Sequence, residues 1–406
     1  MQLLLRDFLL DISQLVLATI YVWLPIALIF TFWKLWVYYI RAYYISNLEW
    51  TLLEIRLPRE ISKTPKAMEI ALHAFHQASD GDLIKKYWKG FVRAWFSLEI
   101  ASFEGEVHFF VRTQSFFRRL VESQIYAQYP GVELVEVDDY TESVSYGKPG
   151  SDLQLFGTEF TLTKEDAYPI KTYVDFGMIE NLEEEQKIDP ITHFLEFMGA
   201  LGPGEQIWFQ ILVQATKSRF VKSGAWFKKE DWKDQGKVII DKLMKRDKKK
   251  KEGEVADWGA MTLSPGERTV VEAIERSISK LGFDVGIRTV YLAEKDSFNA
   301  INIAGLMGSV KQYNTLNLNG FKPVRNTTID YIWQDFTGSK LAGMKKTMFD
   351  AYVKRSHFYY PYQRKPMVLN TEELATIYHF PGKVAETPTF GRIESKKVEP
   401  PTNLPI

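Results

Sequence analysis

From Ile12 to Trp33 the chain runs 22 residues without a charged side chain. A helix of that length rises about 33 Å, enough to cross a hydrocarbon layer about 30 Å thick. A cleaved leader would have an apolar core of about 7–15 residues, a basic start and small residues at its end. Here the run is longer, Asp7 and Asp11 accompany Arg6, and aromatic residues follow. The expected anchor residues are Trp23 and Pro25 within the span, then Trp33, Lys34, Trp36 and Arg41 at its end. Rings there sit at headgroup level and cations reach to water. Pro25 is expected to kink the helix or free one carbonyl. Lys34 and Arg41 follow the span, whereas Arg6 before it is accompanied by two Asp. The positive-inside rule therefore predicts a single pass through the plasma (inner) membrane, with the N-terminus outside and the body cytoplasmic.

The rest of the chain has a globular balance, 46% apolar and 25% charged. Lys+Arg and Asp+Glu both number 51, which argues against a nucleic-acid coat and leaves nucleic acid only an indirect partner. The absence of cysteine excludes disulfides, thiolate metal sites and Cys nucleophiles.

After an anchor and interfacial belt over residues 1–47, the pattern predicts an α+β fold. Leu48–Pro58 alternates as a strand, and a helix follows with Thr64 as cap and Pro65 at its first position. Phe96–Gln114 reads as a hairpin about Glu104-Gly105, then come a Ser-capped helix and the strand "VELVEVDDY". That βαββαβ order is ferredoxin-like and occupies 48–145. A second, looser α+β module is expected over 150–320, with a charged insertion at 217–263, and a partner-docking extension over 321–406. In the insertion, Lys245–Lys251 reads as a charged linker, with contact to lipid or nucleic-acid phosphates as the other reading.

Chemical motifs are sparse. "GSKLAGMKKT" has P-loop glycines at Gly338 and Gly343, but Met344 stands where a phosphate-binding Lys is required. His73 and His76 share a helix without completing a metal set, and Glu180 with Glu183–Glu185 reads as a solvated acidic run. No catalytic, cofactor or metal residues are expected, and the chain is read as a non-enzyme.

Three stretches carry a family resemblance: "LLEIRLPREISKTPKAMEIALHAF", "VHFFVRTQSFFRRLVESQIYAQYPGVELVEVDDYT", and "MVLNTEELATIYHFPG" with "PPTNLP". Together they resemble the N-terminal, non-motor region of membrane-associated HerA-like ATPases related to type IV secretion and conjugation. The resemblance implies a subunit that docks a HerA-like ring ATPase supplied in trans, since the sequence ends where that family's motor would begin. It also implies a homo-oligomer, as a hexameric ring. The expected docking residues are Asn370, Glu372, Glu373, His379, Pro381, Pro400, Pro401 and Leu404. The alternative expectation is a membrane scaffold that self-assembles through its sheet edges and has no motor partner.

Overall fold

The computed structural model describes residues 19–58, 61, 63–147, 152–178, 188–217, 220–221, 229–244, 263–329, 331, 333 and 335–382. Lys245–Lys251, Glu180, Glu183–Glu185, Pro400, Pro401 and Leu404 lie outside them. The chain divides into two compact units, residues 1–48 with 79–93, and residues 49–78 with 94–406.

The first unit holds helix α1 (Ile20–Ser46) and, from an excursion later in the chain, helix α3 (Leu83–Trp88). The second unit contains β1 (Trp50–Arg56), α2 (Pro65–Leu72), β2 (Phe96–Phe103), β3 (Glu106–Gln114), α4 (Arg118–Gln128) and β4 (Glu133–Val137). It continues with β5 (Leu153–Leu162), α5 (Thr192–Gly199), β6 (Glu205–Ala215), the two-residue strands β7 (Phe220–Val221) and β8 (Lys229–Glu230), and α6 (Trp232–Leu243). Last come α7 (Pro265–Ile278), β9 (Gly282–Glu294), α8 (Ala300–Lys311), β10 (Phe321–Val324), α9 (Ser339–Val353), β11 (Met367–Asn370) and α10 (Thr371–Ile377).

Nine strands form one sheet in the order β10-β5-β9-β6-β2-β3-β1-β4, with β11 also paired to β9, and every pairing is antiparallel. The spatial order repeats: β4-β1-β3-β2 and β10-β5-β9-β6 follow the same sequence of connections, and β2 meets β6 at the seam. Thus the expected break between 48–145 and 150–320 falls inside a single sheet. Residues 321–382, expected as a docking extension, instead build the body: β10 pairs with β5, β11 with β9, and α9 covers one face.

Side-chain alternation decides the layers. Leu98 and Ile100 of β2, Ile207, Phe209 and Ile211 of β6, and Val285 and Ile287 of β9 belong to the large core shared with α2, α4, α5, α8 and α10. The opposite face carries Ala101, Trp208 and Val290 with Met348, Phe349 and Tyr352 of α9. Local signals hold at some element ends only: Thr64 precedes α2 without a side-chain capping bond, and Ser115 opens a 3-10 turn so that Phe117, not a serine, stands at the cap of α4. Ser264 and Asn370 form reciprocal capping boxes with Glu267 and Glu373, and Asp231 does the same with Asp234.

Across the α9 face runs a buried polar row in direct register: Glu159 opposite Arg288, Arg288 opposite Gln210, and Gln210 opposite Glu99. Arg355, just past α9, closes the Glu99 end. Its Nε donates to Glu99 Oε1 at 3.0 Å and its Nη2 to Oε2 at 3.1 Å, while Nη1 and Nη2 also reach Asp139. Gln210 Nε2 donates to Glu99 Oε1 at 3.0 Å, and the Tyr140 hydroxyl donates to Glu99 Oε2 at 2.7 Å. Burial alone would raise Glu99, but the adjacent Arg355 charge and these donors hold it below its usual range. Asp139 is lowered against burial by the same arginine.

Removing Arg355 while leaving Glu99 strands a buried charge, a change that costs about 3–5 kcal/mol. Arg355→Met is therefore expected to lower the thermal unfolding midpoint strongly, read by circular dichroism on detergent-solubilised protein. Because Glu99 and Asp139 have depressed folded pKa values, their stabilisation is present above the unfolded values of 4.5 and 3.8 and is lost as pH falls through the folded ones. The wild type should lose stability on acidification more steeply than Arg355→Met; equal slopes would refute the assignment.

Candidate membrane-anchoring site

The 27 residues of α1 rise about 40 Å. Its most apolar 18-residue window has no part buried within the structure, so the helix is long and apolar enough to cross a membrane. Trp23, Pro25, Trp33 and Lys34 are exposed, Trp36 and Arg41 are half-buried, and Ile40 is the one described residue of α1 that is buried. Pro25 lies inside the helix, so the Tyr21 carbonyl lacks its helical donor. Lys34 Nζ folds back over the Phe30 ring, 4.4 Å from its centroid.

Residues 79–93 fold against the last three turns of this helix. Trp36 Nε1 donates to the Tyr87 carbonyl at 3.0 Å. Trp33 meets Tyr87 at 5.8 Å between ring centroids, Trp36 meets Trp88 at 5.9 Å, and Tyr44 meets Phe91 at 5.7 Å. The closest approach is at Gly90. Its φ of +68° suits glycine, and a Cβ there would lie 2.1 Å from the Ile40 carbonyl oxygen, so no side chain fits. Asp80 fixes the two ends of the excursion through Arg93 at 2.9 Å and Lys86 at 3.9 Å.

In and just after α3, Leu83, Ile84 and Trp88 are 74%, 66% and 63% exposed, and Lys85, Lys86 and Lys89 interleave with them. These residues were not singled out in the sequence, although "DLIKKYWKGF" repeats the belt's mixture of aromatic, aliphatic and Lys residues. The signal was local; its place beside the belt was not.

The expected docking residues of the body are placed differently from one another. Asn370, Glu372, Glu373, His379 and Pro381 are buried, with their side chains engaged inside the body. Lys280 Nζ lies 2.6 Å from the carboxylates of both Glu372 and Glu69. Glu373 accepts from the Asn370 and Ile170 backbone N–H groups, and burial pushes it up to about 8. His379 spans the Ala375 carbonyl and Asp189 at 2.8 Å each. None of the five presents its side chain to a partner in this arrangement. Among the described residues, no three His, Asp or Glu side chains gather as a metal set; His76 stands edge-on to Phe283.

A family model described as a domain of unknown function, DUF8128, matches residues 47–392. The chain belongs to this family. No curated protein matches it. The DUF8128 match starts just after α1 and includes the 79–93 excursion, so the element that grips the helix is part of the family region and the helix precedes it.

Gly90→Val should strip the excursion from α1. The expected readout is faster tryptic cleavage at Lys85, Lys86 and Lys89, with thermal unfolding of the body unchanged. Cleavage at the wild-type rate would show that Gly90 does not control the contact.

Proposed function

We propose that this DUF8128 chain is a non-enzymatic, single-pass membrane subunit that holds an α+β body on the cytoplasmic side and docks a separately encoded HerA-like ring ATPase in a DNA- or protein-translocating machine. The observation that carries the membrane reading is α1, whose most apolar 18-residue window has no part buried in the structure. A leader peptide would share its place near the N-terminus and its apolar character. The excursion favours a retained helix, because Gly90, Trp88 and Tyr87 of the family region are shaped to residues 33–44. The same contact gathers Lys85, Lys86, Lys89 and Arg93 onto the side that already carries Lys34 and Arg41, which supports a cytoplasmic body.

The body is read as two ferredoxin-like modules fused edge to edge. The repeated spatial order and the antiparallel pairing of all neighbours support that reading. Among the described residues, the sheet ends on β4, five residues with Glu133 and Glu136 exposed, and on β10, four residues with Lys322 and Pro323 exposed. Short edges bearing charge and proline resist strand addition. This favours docking of a different protein over self-assembly through the sheet. With residues 370–381 committed to the core, the docking role falls to residues 383–406.

Two measurements test the reading. Alkaline carbonate should leave the protein in the membrane pellet, and protease added outside sealed cells should spare the body. Affinity isolation from gently solubilised membranes should recover a HerA-like ATPase with the full chain and not with a chain ending at residue 382. Carbonate extraction, external cleavage of the body, or recovery of the motor by both chains would each count against the corresponding part.

A further inference from the structure

β9 pairs with β5 as far as Ile287 opposite Phe160, and with β11 from Val285 opposite Met367. Its neighbour changes at Gly286, where the sheet forks. A cavity of about 560 Å³ opens beside β5, bordered by the carboxylates of Glu159, Glu165 and Asp166 and by Lys164, Arg325, Lys365 and His357. His357 packs into the fork. A Cβ on Gly286 would lie 2.4 Å from its Nδ1, so glycine is what admits the imidazole.

The ring's protonation follows from its neighbour. Arg288 Nη2 lies 3.4 Å from His357 Nδ1, and a guanidinium can only donate. Nδ1 therefore accepts, and the neutral ring carries its proton on Nε2. Burial, reinforced by Arg288, Arg364 and Arg325, pushes His357 down to about 3, so the ring is neutral at physiological pH. Nε2 is buried and has no hydrogen-bond partner among the described residues.

With Arg288 and Arg364 behind the wall, the cations Arg288, Arg325, Arg364, Lys164 and Lys365 outnumber the carboxylates Glu159, Glu165 and Asp166. Arg325, Arg364 and Arg288 lie 2.9, 3.7 and 3.8 Å from one carboxylate, Glu159. Arg288 Nε and Nη1 and Arg364 Nε also lack hydrogen-bond partners among the described residues. Arg325 takes a left-handed backbone, φ 53°, a conformation uncommon outside glycine. Buried donors that outnumber acceptors match a ligand that only accepts and carries negative charge.

We propose that the fork is a binding site for a phosphate-type oxyanion borne on a small organic molecule. Its oxygens accept from the Arg325 guanidinium and from His357 Nε2, with Lys365 at the rim. Its organic part lies on Leu162, Val324, Pro366 and Met367, which border the same cavity. Arg288 acts from behind the ring by fixing the tautomer that donates.

The test is isothermal titration of the full-length, detergent-solubilised protein with inorganic phosphate, pyrophosphate and adenosine monophosphate at constant ionic strength, against chloride. Saturable binding of at least one phosphate probe is expected, weakened about tenfold or more by Arg325→Ala, since hydrogen bonds to charged groups contribute at that level. His357→Gln should weaken it similarly. Arg325 is half exposed, so its variant reads the site even if the His357 variant fails to fold. Arg268→Ala, on the exposed face of α7, should leave affinity unchanged. No saturable binding of any of the three probes, or unchanged affinity in Arg325→Ala, overturns the proposal.

Discussion

The body depends on a polar row that a β-sheet would not ordinarily bury. Glu159, Arg288, Gln210 and Glu99 stand side by side on four successive strands, and each is 4% exposed or less. Uncompensated, buried charges of this kind cost several kcal/mol each. Compensation fixes much of the fold. The register of β6 against β2 and β9 cannot slip by one residue without sending the row to the opposite face, among Phe209 and Ile211. Both four-strand sets are thereby locked into one sheet. The cover must be polar where it meets the row. Arg355 and the Ser356 carbonyl supply that, and Arg355 adopts a left-handed φ of 48° to do so.

This explains why the region beyond residue 320 is part of the body. The sequence loses clear periodicity there, and the stretch reads as an appendage. Yet α9 and the residues just after it bring Tyr352 onto the Tyr140 hydroxyl and Arg355 onto Glu99, and β11 takes up the strand position that β5 vacates at the fork. Irregular sequence here reflects a cover shaped by what lies beneath it.

Local information was legible and distant information was not. The strand β1 and the turn at Glu104-Gly105 each depend on residues within a few positions, and both form as read; the capping boxes at Ser264 and Asn370 are equally local. The segment Asn370–Pro381 shows the limit. Asn370, Glu372 and Glu373 are expected from the sequence to face a partner, and the cap at Asn370 forms. The Glu372 carboxylate is nevertheless buried, paired with Lys280 and Arg276 from about 90–100 positions away. Equally, "DLIKKYWKGF" carries the composition of an interfacial element, but only the fold brings it against Trp36 and Ile40.

The two ends of the polar row are unlike, and the difference has physical content. At the Glu99 end every carboxylate oxygen has donors, and Arg355 is held above its usual range by Glu99 and Tyr140 despite burial. At the Glu159 end three guanidinium groups share one carboxylate, and burial lowers Arg288 to about 10. Leaving buried donors without acceptors costs about 1–3 kcal/mol per group. A second carboxylate paired with these guanidinium groups would have removed that cost, as Asp139 does for Arg355 at the other end. The sheet instead divides there, glycine replaces a side chain at position 286, and a cavity borders the excess charge. Stability alone accounts for the closed end; the open end is accounted for when an anion completes it.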